Sequence, residues 1–297
     1  MSQTEHYFDN TVSRRRFIKH LSILSAGICI TQISGCGKAL GVPQIESIPS
    51  DDLRIEARTV KYRGVNEMTA YLVRPKQLRK YPSILLIHDS QGLDSHIKEV
   101  ARRLALAGFI VLAPDALAPM GGTPPDLKEA SAMMKRLGKD KDTLVDEHNK
   151  IDVDKNFESA IGKIRGYDFS NGRVGLVGIG WGGTLAIRLA VRSSDVPATV
   201  SFYGQMNQFR GGGNLQTAFL FHVPEDDKRI INQLFDFENK LIKADVQYTI
   251  HRYPDTKSGF FTEVRPRLYQ EDQAIVAWER TLDFLNDKLI DKRNDFP

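Results

Sequence analysis

The sequence predicts an α/β protein: one domain built on a mostly parallel, twisted sheet with helices on both faces. Three features carry that expectation. Short apolar runs alternate with amphipathic stretches from about residue 50 to residue 289, the pattern of strands joined by crossover helices. The chain has 297 residues, 41% of them hydrophobic and 9% aromatic, enough to fill one large core. Neither a repeat nor a low-complexity tract interrupts the alternation.

Along the chain, residues 1–36 read as an export leader, 37–50 as a linker, 51–291 as the domain and 292–297 as a tail. The domain opens with "LRIEARTVKY" and "EMTAYLVRP", whose alternation suits an antiparallel strand pair. The later runs "SILLIHD", "GFIVLAPD", "RVGLVGIG", "ATVSFYG", "AFLFHVPE" and "VQYTIHRYP" are short and apolar, as buried strands are. Residues 94–107 set Ile97, Val100, Ala101 and Leu104 on one helical stripe, and residues 271–289 do the same with Ile275, Trp278, Leu282 and Leu285. Between these, residues 118–150 carry "PMGGTPPD" and many charges and read as a surface excursion from the same domain.

The leader explains the overall charge. The formal net charge is +4, but four basic residues (Arg14, Arg15, Arg16 and Lys19) and only two acidic ones precede Cys36. Taking these from the totals of 41 and 37 leaves 37 basic and 35 acidic residues from Cys36 onward. So even a balance leaves no basic stripe for nucleic acid. "SRRRFIKHLSILSAGICITQISGC" resembles a bacterial twin-arginine export signal, with Phe17, Ile18 and Lys19 in the expected places after Arg14 and Arg15. The apolar stretch from Leu21 to Ile33 is about half the length needed to span a bilayer. "ISGC" at 33–36 resembles a lipobox, in which cleavage before Cys36 would leave its thiol to carry a lipid; ordinary cleavage nearby is the other reading. Both place the body outside the cytoplasm, periplasmic or exported, and the lipobox adds membrane attachment through Cys36. The only cysteines are Cys29 and Cys36, so the body has no disulfide, no thiolate metal site and no thiol nucleophile.

In sheets of this class the site lies outside the carboxyl ends of the strands. Those ends carry His88, Asp89 and Ser90, then Asp115, the 178–183 turn, Tyr203, the 222–227 segment and the loop after Pro254. "VGLVGIGWGGTLAIRLA" has the outline of a nucleophile elbow, a strand that turns sharply into a helix and holds a nucleophile at the bend. The bend residue is Gly180. Gly178, Gly180 and Gly183 also satisfy a dinucleotide-binding fingerprint, but that motif belongs to a first strand and expects an acidic residue after the next one, which here ends "SFYG".

Several stretches together resemble the dienelactone hydrolase family of the α/β-hydrolase superfamily, over roughly residues 65–288. They are "LLIHDSQGLDSHIKEVARRLALAGFIVLAPD", "SFYG", "LFHVPEDD", and "RYPDTKSGFF" followed by "AWERTLDFL". The resemblance implies an α/β-hydrolase fold, a hydrolase of small esters or lactones, no cofactor and no metal. It also implies an elbow of the form Gly-x-Cys-x-Gly-Gly, or with serine in relatives. Carried onto this chain, the nucleophile position is Gly180, the acid position Asp227 and the histidine position Ser258. Asp89 corresponds to the carboxylate beside the family's nucleophile, and the backbone N–H groups of Ser90 and Trp181 to an oxyanion-accepting pair. Trp181 and Tyr203 read as pocket wall or core.

Acyl transfer needs an atom that attacks the carbonyl and a base that takes its proton. Glycine offers no such atom, and Ser258 is no base. The expectation is therefore a protein that is inactive or very weakly active and binds a small carboxylate or another protein. Two alternatives stand beside it. One is an active ester or lactone hydrolase with a rearranged site drawing on Asp89, Ser90, Ser258 or one of His88, His222 and His251; the other is a dinucleotide-binding protein.

Overall fold

The computed structural model describes residues 47–139, 151–193, 195–207, 209 and 215–290. The leader, most of the linker, residues 140–150 and the tail lie outside the described residues. The eight strands are β1 (Ile55–Arg63), β2 (Glu67–Pro75), β3 (Tyr81–Ile87), β4 (Ile110–Pro114), β5 (Ser170–Ile179), β6 (Ala198–Phe202), β7 (Ala218–Pro224) and β8 (Tyr248–Tyr253). They form one sheet in the order β1-β2-β4-β3-β5-β6-β7-β8. β1 pairs with β2, and β2 with β4, antiparallel; every pairing from β4 across to β8 is parallel. The alternating first pair lies at a sheet margin, and the uniformly buried β3, β4 and β7 lie inside the sheet, flanked by strands on both sides.

The helices are α1 (Ser95–Leu106), α2 (Leu127–Lys139), α3 (Val153–Arg165), α4 (Trp181–Arg192), α5 (Lys228–Lys243) and α6 (Glu271–Leu289). The chain moves from β3 through α1 to β4 in one direction, and from β5 through α4 to β6 in the other. Right-handed crossovers of opposite direction put α1 and α4 on opposite faces. The order therefore reverses between β3 and β5, and their carboxyl ends meet at a topological switch point, where open α/β sheets place ligands. In register, Ile87 lies beside Gly178, so Asp89 and Gly180 leave the sheet as neighbours.

In the described part of the 118–150 stretch, Ala118–Met120 form a 3-10 turn, and α2 lies on the surface with only Ala130 and Met134 buried among its described side chains. One boundary differs from the sequence reading. Ile48 lies in the predicted linker, yet its N–H donates to Glu99 Oε1 at 2.7 Å and its carbonyl accepts from Arg102 Nε at 2.5 Å. The body thus begins a few residues before position 51.

These two bonds open a network of buried and half-buried charges that starts on α1. Glu99 accepts from Arg102 Nη2 at 2.6 Å and faces Arg103 Nε at 3.4 Å. Arg103 Nη2 bonds Glu263 Oε1 at 2.5 Å and its guanidinium lies 5.9 Å from the Trp278 ring centre. Glu263 Oε2 meets His96 Nδ1 at 2.6 Å. Glu263 stands on the loop after β8, so the network ties that loop to α1 and to the start of the body. Burial pushes the Glu263 carboxyl up, but the bonds and charges of His96 and Arg103 outweigh it and hold it down at about 2, against 4.5 ordinarily. A carboxyl held lower in the folded than in the unfolded chain adds stability that is complete above about 4.5 and lost as pH falls toward 2. Replacing Glu263 by Gln is therefore expected to cost about 2 kcal/mol at neutral pH, the scale of a hydrogen bond to a charged group. It is also expected to flatten part of the fall in melting temperature below about pH 4.5; thermal melts by circular dichroism across that range check both.

Candidate active site at the end of the sheet

Gly180 is the N-cap of α4 and has φ 56° and ψ −112°, the strained bend of an elbow, reached here by a residue with no Cβ. Its N–H donates to Phe202 O at 2.9 Å. The neighbouring glycines serve close approach: a Cβ at Gly182 would come within 2.2 Å of Ile87 O, so the first turn of α4 packs its backbone directly on the end of β3. The sharp strand-to-helix bend is therefore built, and the residue at it carries no side chain.

The space above the bend is occupied from within. A Cβ on Gly180 would lie 2.1 Å from Asp89 Oδ1 and 2.6 Å from Asp89 Cγ. The carboxylate of Asp89 therefore stands where a nucleophile's side chain would begin. Its Oδ1 accepts from the Ser90 N–H at 2.6 Å and from the Trp181 N–H at 3.3 Å, and Oδ2 pairs with Arg265 Nη2 at 2.9 Å. The two N–H groups read from sequence as an oxyanion pair both point at one oxygen, which belongs to Asp89. Trp181, half-buried, stacks on His88 with ring centres 5.4 Å apart.

Asp227 and Ser258 are also brought together. Asp227 caps α5 and accepts from the Arg229 N–H at 3.1 Å; its side chain also pairs with Arg229 Nη2 at 3.0 Å and accepts from Ser258 Oγ at 2.5 Å. Burial works to raise the Asp227 carboxyl, and the bonds of Arg229 and Ser258 prevail and hold it below the usual range. It is an ionised, fully partnered carboxylate. Tyr203 is buried with φ 40°, and its hydroxyl shares a 2.9 Å bond with Thr262. Burial and the charge of Asp89 push its phenol up, so it remains neutral.

The imidazoles are engaged elsewhere. His88 Nε2 accepts from the Ala116 N–H at 3.0 Å, which assigns the proton to Nδ1 and leaves it to donate to Asp89 O at 2.8 Å. His222 Nε2 meets Thr281 Oγ1 at 2.9 Å; because Thr281 donates to Ala277 O, the imidazole is the donor there, and Nδ1 accepts from Tyr253 at 2.7 Å. Burial lowers both imidazoles and keeps them neutral. His251 is pushed down to about 4 by burial and by Arg280. His96 is different: it is buried, oriented by Glu263, and its Nε2 has no hydrogen-bond partner.

The sequence profile described as the Dienelactone hydrolase family matches residues 68–289. The chain belongs to the dienelactone hydrolase family. It is 28% identical over 240 residues to a candidate carboxymethylenebutenolidase of Aquifex aeolicus, covering 78% of this chain and 96% of that protein. A 77-residue stretch, 25% of this chain and 66% of the relative, is 42% identical to the hydrolase fragment YghX of Escherichia coli. Among solved structures, a dienelactone hydrolase-like promiscuous phosphotriesterase from metagenomic libraries superposes with a TM-score of 0.68 at 19% identity, over 80% of this chain and all of that one. A dienelactone hydrolase of Anabaena variabilis superposes with a TM-score of 0.58 at 17% identity, over 80% of this chain and all of that one. The fold is thus that of the dienelactone hydrolases.

Against this family background, the residues that sequence reading missed are Arg265, Arg229, His96 and Glu263. Arg265 pairs with Asp89 across 176 positions, and Glu263 with His96 across 167. No local pattern announces such pairs. Arg229 was the legible one, two residues after a helix-capping aspartate.

The overlap of Asp89 with the Gly180 Cβ position makes a direct prediction. Gly180→Ala is expected to cost about 1–3 kcal/mol from the bend alone, plus the collision with Asp89. In an Asp89→Gly background the collision vanishes, so the same substitution is expected to cost less by about 0.5–3 kcal/mol of coupling. Urea midpoints of the four proteins measure it, and equal costs in both backgrounds would show that Asp89 does not hold that space.

Proposed function

We propose that this chain is an exported dienelactone hydrolase homologue whose elbow no longer performs acyl transfer and which acts as a binder, of a small carboxylate or of another protein. The observation that carries this reading is the Asp89 carboxylate at the nucleophile's place, bonded to both N–H groups that would stabilise a developing oxyanion. A tetrahedral oxyanion there would compete with a resident negative charge. Gly180 supplies no attacking atom, and the Asp227 carboxylate is spent on Arg229 and Ser258. Hydrolysis of small esters and lactones is the family's chemistry; this site is the family's scaffold without its means.

A rearranged active site is the second reading, and one observation favours it: the His96–Glu263 pair has the base-and-orienter geometry of a catalytic dyad, with Nε2 unbonded. His96 is only 2% exposed and packs edge-on against Phe261. It would need an opening to reach a substrate.

Purified protein is expected to show no saturable hydrolysis of aryl acetates or of dienelactone, and His96→Gln to change nothing. Saturable wild-type turnover abolished by His96→Gln would favour the second reading instead. Restoring Gly180→Cys and Ser258→His together is expected to remain silent, because the new Cβ meets Asp89 at 2.1 Å. Adding Asp89→Gly clears the bend, and the triple variant is expected to rise roughly tenfold or more above background, the low end of what a positioned base contributes.

The leader supplies the place of action. Arg14→Lys with Arg15→Lys is expected to leave the protein in the cytoplasm, since the translocase reads the arginine pair. Cys36→Ala is expected to abolish labelling by radioactive palmitate. Cell fractionation reports the first outcome and radiolabel incorporation into the purified protein the second, and normal export of the double lysine variant would refute the twin-arginine assignment.

A further inference from the structure

The two most exposed large apolar side chains lie together, at the end of the sheet opposite the site. Among the described residues, Leu78 is 96% and Leu53 83% exposed, ahead of every other large hydrophobic residue. Arg54 O accepts from the Lys76 N–H at 2.9 Å, which carries the β1–β2 ladder one step past Ile55 and Pro75 and sets Leu53 beside the turn that holds Leu78. That turn, residues 76–80, reads Lys-Gln-Leu-Arg-Lys, and all five residues are exposed. It leads into β3 at Tyr81, whereas Asp89 follows the far end of the same strand. The seven residues of β3 hold the two ends roughly 20 Å apart.

Exposed hydrophobic residues are ordinary when single; these two are paired and ringed by cations. Lys76, Arg79 and Lys80 flank Leu78. On the adjoining strand the acids are largely matched, Asp52 by Arg54 at 2.6 Å and Glu56 by Arg74, so Asp51 alone is left there against the three cations of the turn. The chain also enters the body at this end. α1 runs back from the site toward the start of β4, and Ile48 is bonded to Glu99 and Arg102 in its second half, five positions before Leu53. Cys36 lies 11 positions before Ser47, the first described residue, a stretch that reaches at most roughly 40 Å.

We propose that Leu53, Leu78 and the cations of the 76–80 turn form a docking face for a bilayer surface that carries anionic lipid headgroups. The two leucines enter the headgroup boundary, and the ammonium and guanidinium groups meet the lipid phosphates, the pairing of apolar and electrostatic attraction that holds proteins at a membrane surface. The contact is peripheral, since no helix among the described residues is long and apolar enough to cross a membrane. A lipid on Cys36 and this face act on the same end of the molecule, and a lipid chain joined to a basic patch holds where one signal alone is marginal. Docked in this way, the body turns the Gly180 end of the sheet away from the bilayer. The inference goes beyond the binder reading and shares with it only the proposed anchor at Cys36, which the headgroup contact itself does not require.

The test uses the full chain with vesicles of phosphatidylcholine, alone or in equal parts with phosphatidylglycerol, both carrying brominated acyl chains. Because the leader has cations of its own, the readout sits on the face: fluorescence of Leu78→Trp, compared with Phe235→Trp on α5, another exposed apolar position. In the mixed vesicles Leu78→Trp is expected to shift to the blue and to be quenched about twofold or more, Phe235→Trp to stay unchanged, and neither to respond to phosphatidylcholine alone. Adding Lys76→Gln, Arg79→Gln and Lys80→Gln to Leu78→Trp is expected to raise the lipid concentration for half-maximal quenching about tenfold or more. The Arg79 guanidinium lies 4.6 Å from the Tyr81 ring centre, so Lys76→Gln with Lys80→Gln covers the case in which the triple charge variant does not fold, with a rise of about threefold or more. The proposal is overturned if Leu78→Trp stays in water while the protein sediments with the mixed vesicles, if the two tryptophan probes are quenched alike, or if the folded charge variants keep their lipid affinity. Palmitate labelling is read separately: incorporation at Cys36 with position 78 left in water would keep the anchor and sink the face, and quenching without incorporation would do the reverse.

Discussion

A carboxylate buried at the switch point between β3 and β5 needs donors, and the three that reach Asp89 organise the whole end of the sheet. The N–H of Trp181 is free to donate because it opens a helix, where the first amides have no intrahelical partner and the dipole favours negative charge. Bringing that helix start onto β3 requires Gly182, which lies almost in contact with Ile87 O. Leaving room for the carboxylate requires Gly180, since any Cβ there would meet it. Asp89, Gly180 and Arg265 are thus one arrangement: each makes the other two tolerable.

The neighbouring acid shows the same economy. Asp227 faces Ser258, and an ionised carboxylate there with no cation would be costly so close to the core. Arg229, in the first turn of α5, supplies the charge, and the capping bond to its own N–H anchors the helix start. Glycine at a strained bend and a carboxylate closed by a local arginine both favour the stability of the fold.

Arg265 is dependable as a third donor because its loop is pinned at several points. Glu263, two residues earlier, is clamped by His96 and Arg103, and Thr262 is bonded to Tyr203. The same charge network reaches Ile48 through Glu99 and Arg102. The loop over the site, α1 and the entry of the chain into the body therefore form one connected polar framework. Only His96 Nε2, two Arg103 nitrogens and Ser201 Oγ are left without a hydrogen bond among the described buried side chains.

The sequence by itself determined the strands, the first and last helices, the glycine turn between strand and helix, and which residues stand at positions 180 and 258. Each of these is written in neighbouring residues: a period of two or of three to four, glycines at fixed offsets, Gly180 at the bend, Ser258 before Gly259. It even marked Asp89, Ser90 and Trp181 as neighbours of the site. Only the tertiary structure decided what they do there. Whether two N–H groups stand open or hold a carboxylate depends on one side-chain torsion of Asp89 and on an arginine 176 positions away. Likewise, His96 is indistinguishable in sequence from any histidine in a first helical turn, until the fold carries Glu263 to it. Periodicity records which face of an element is buried, whereas the pairing of charges across a core follows from the packing of elements, which no local pattern encodes.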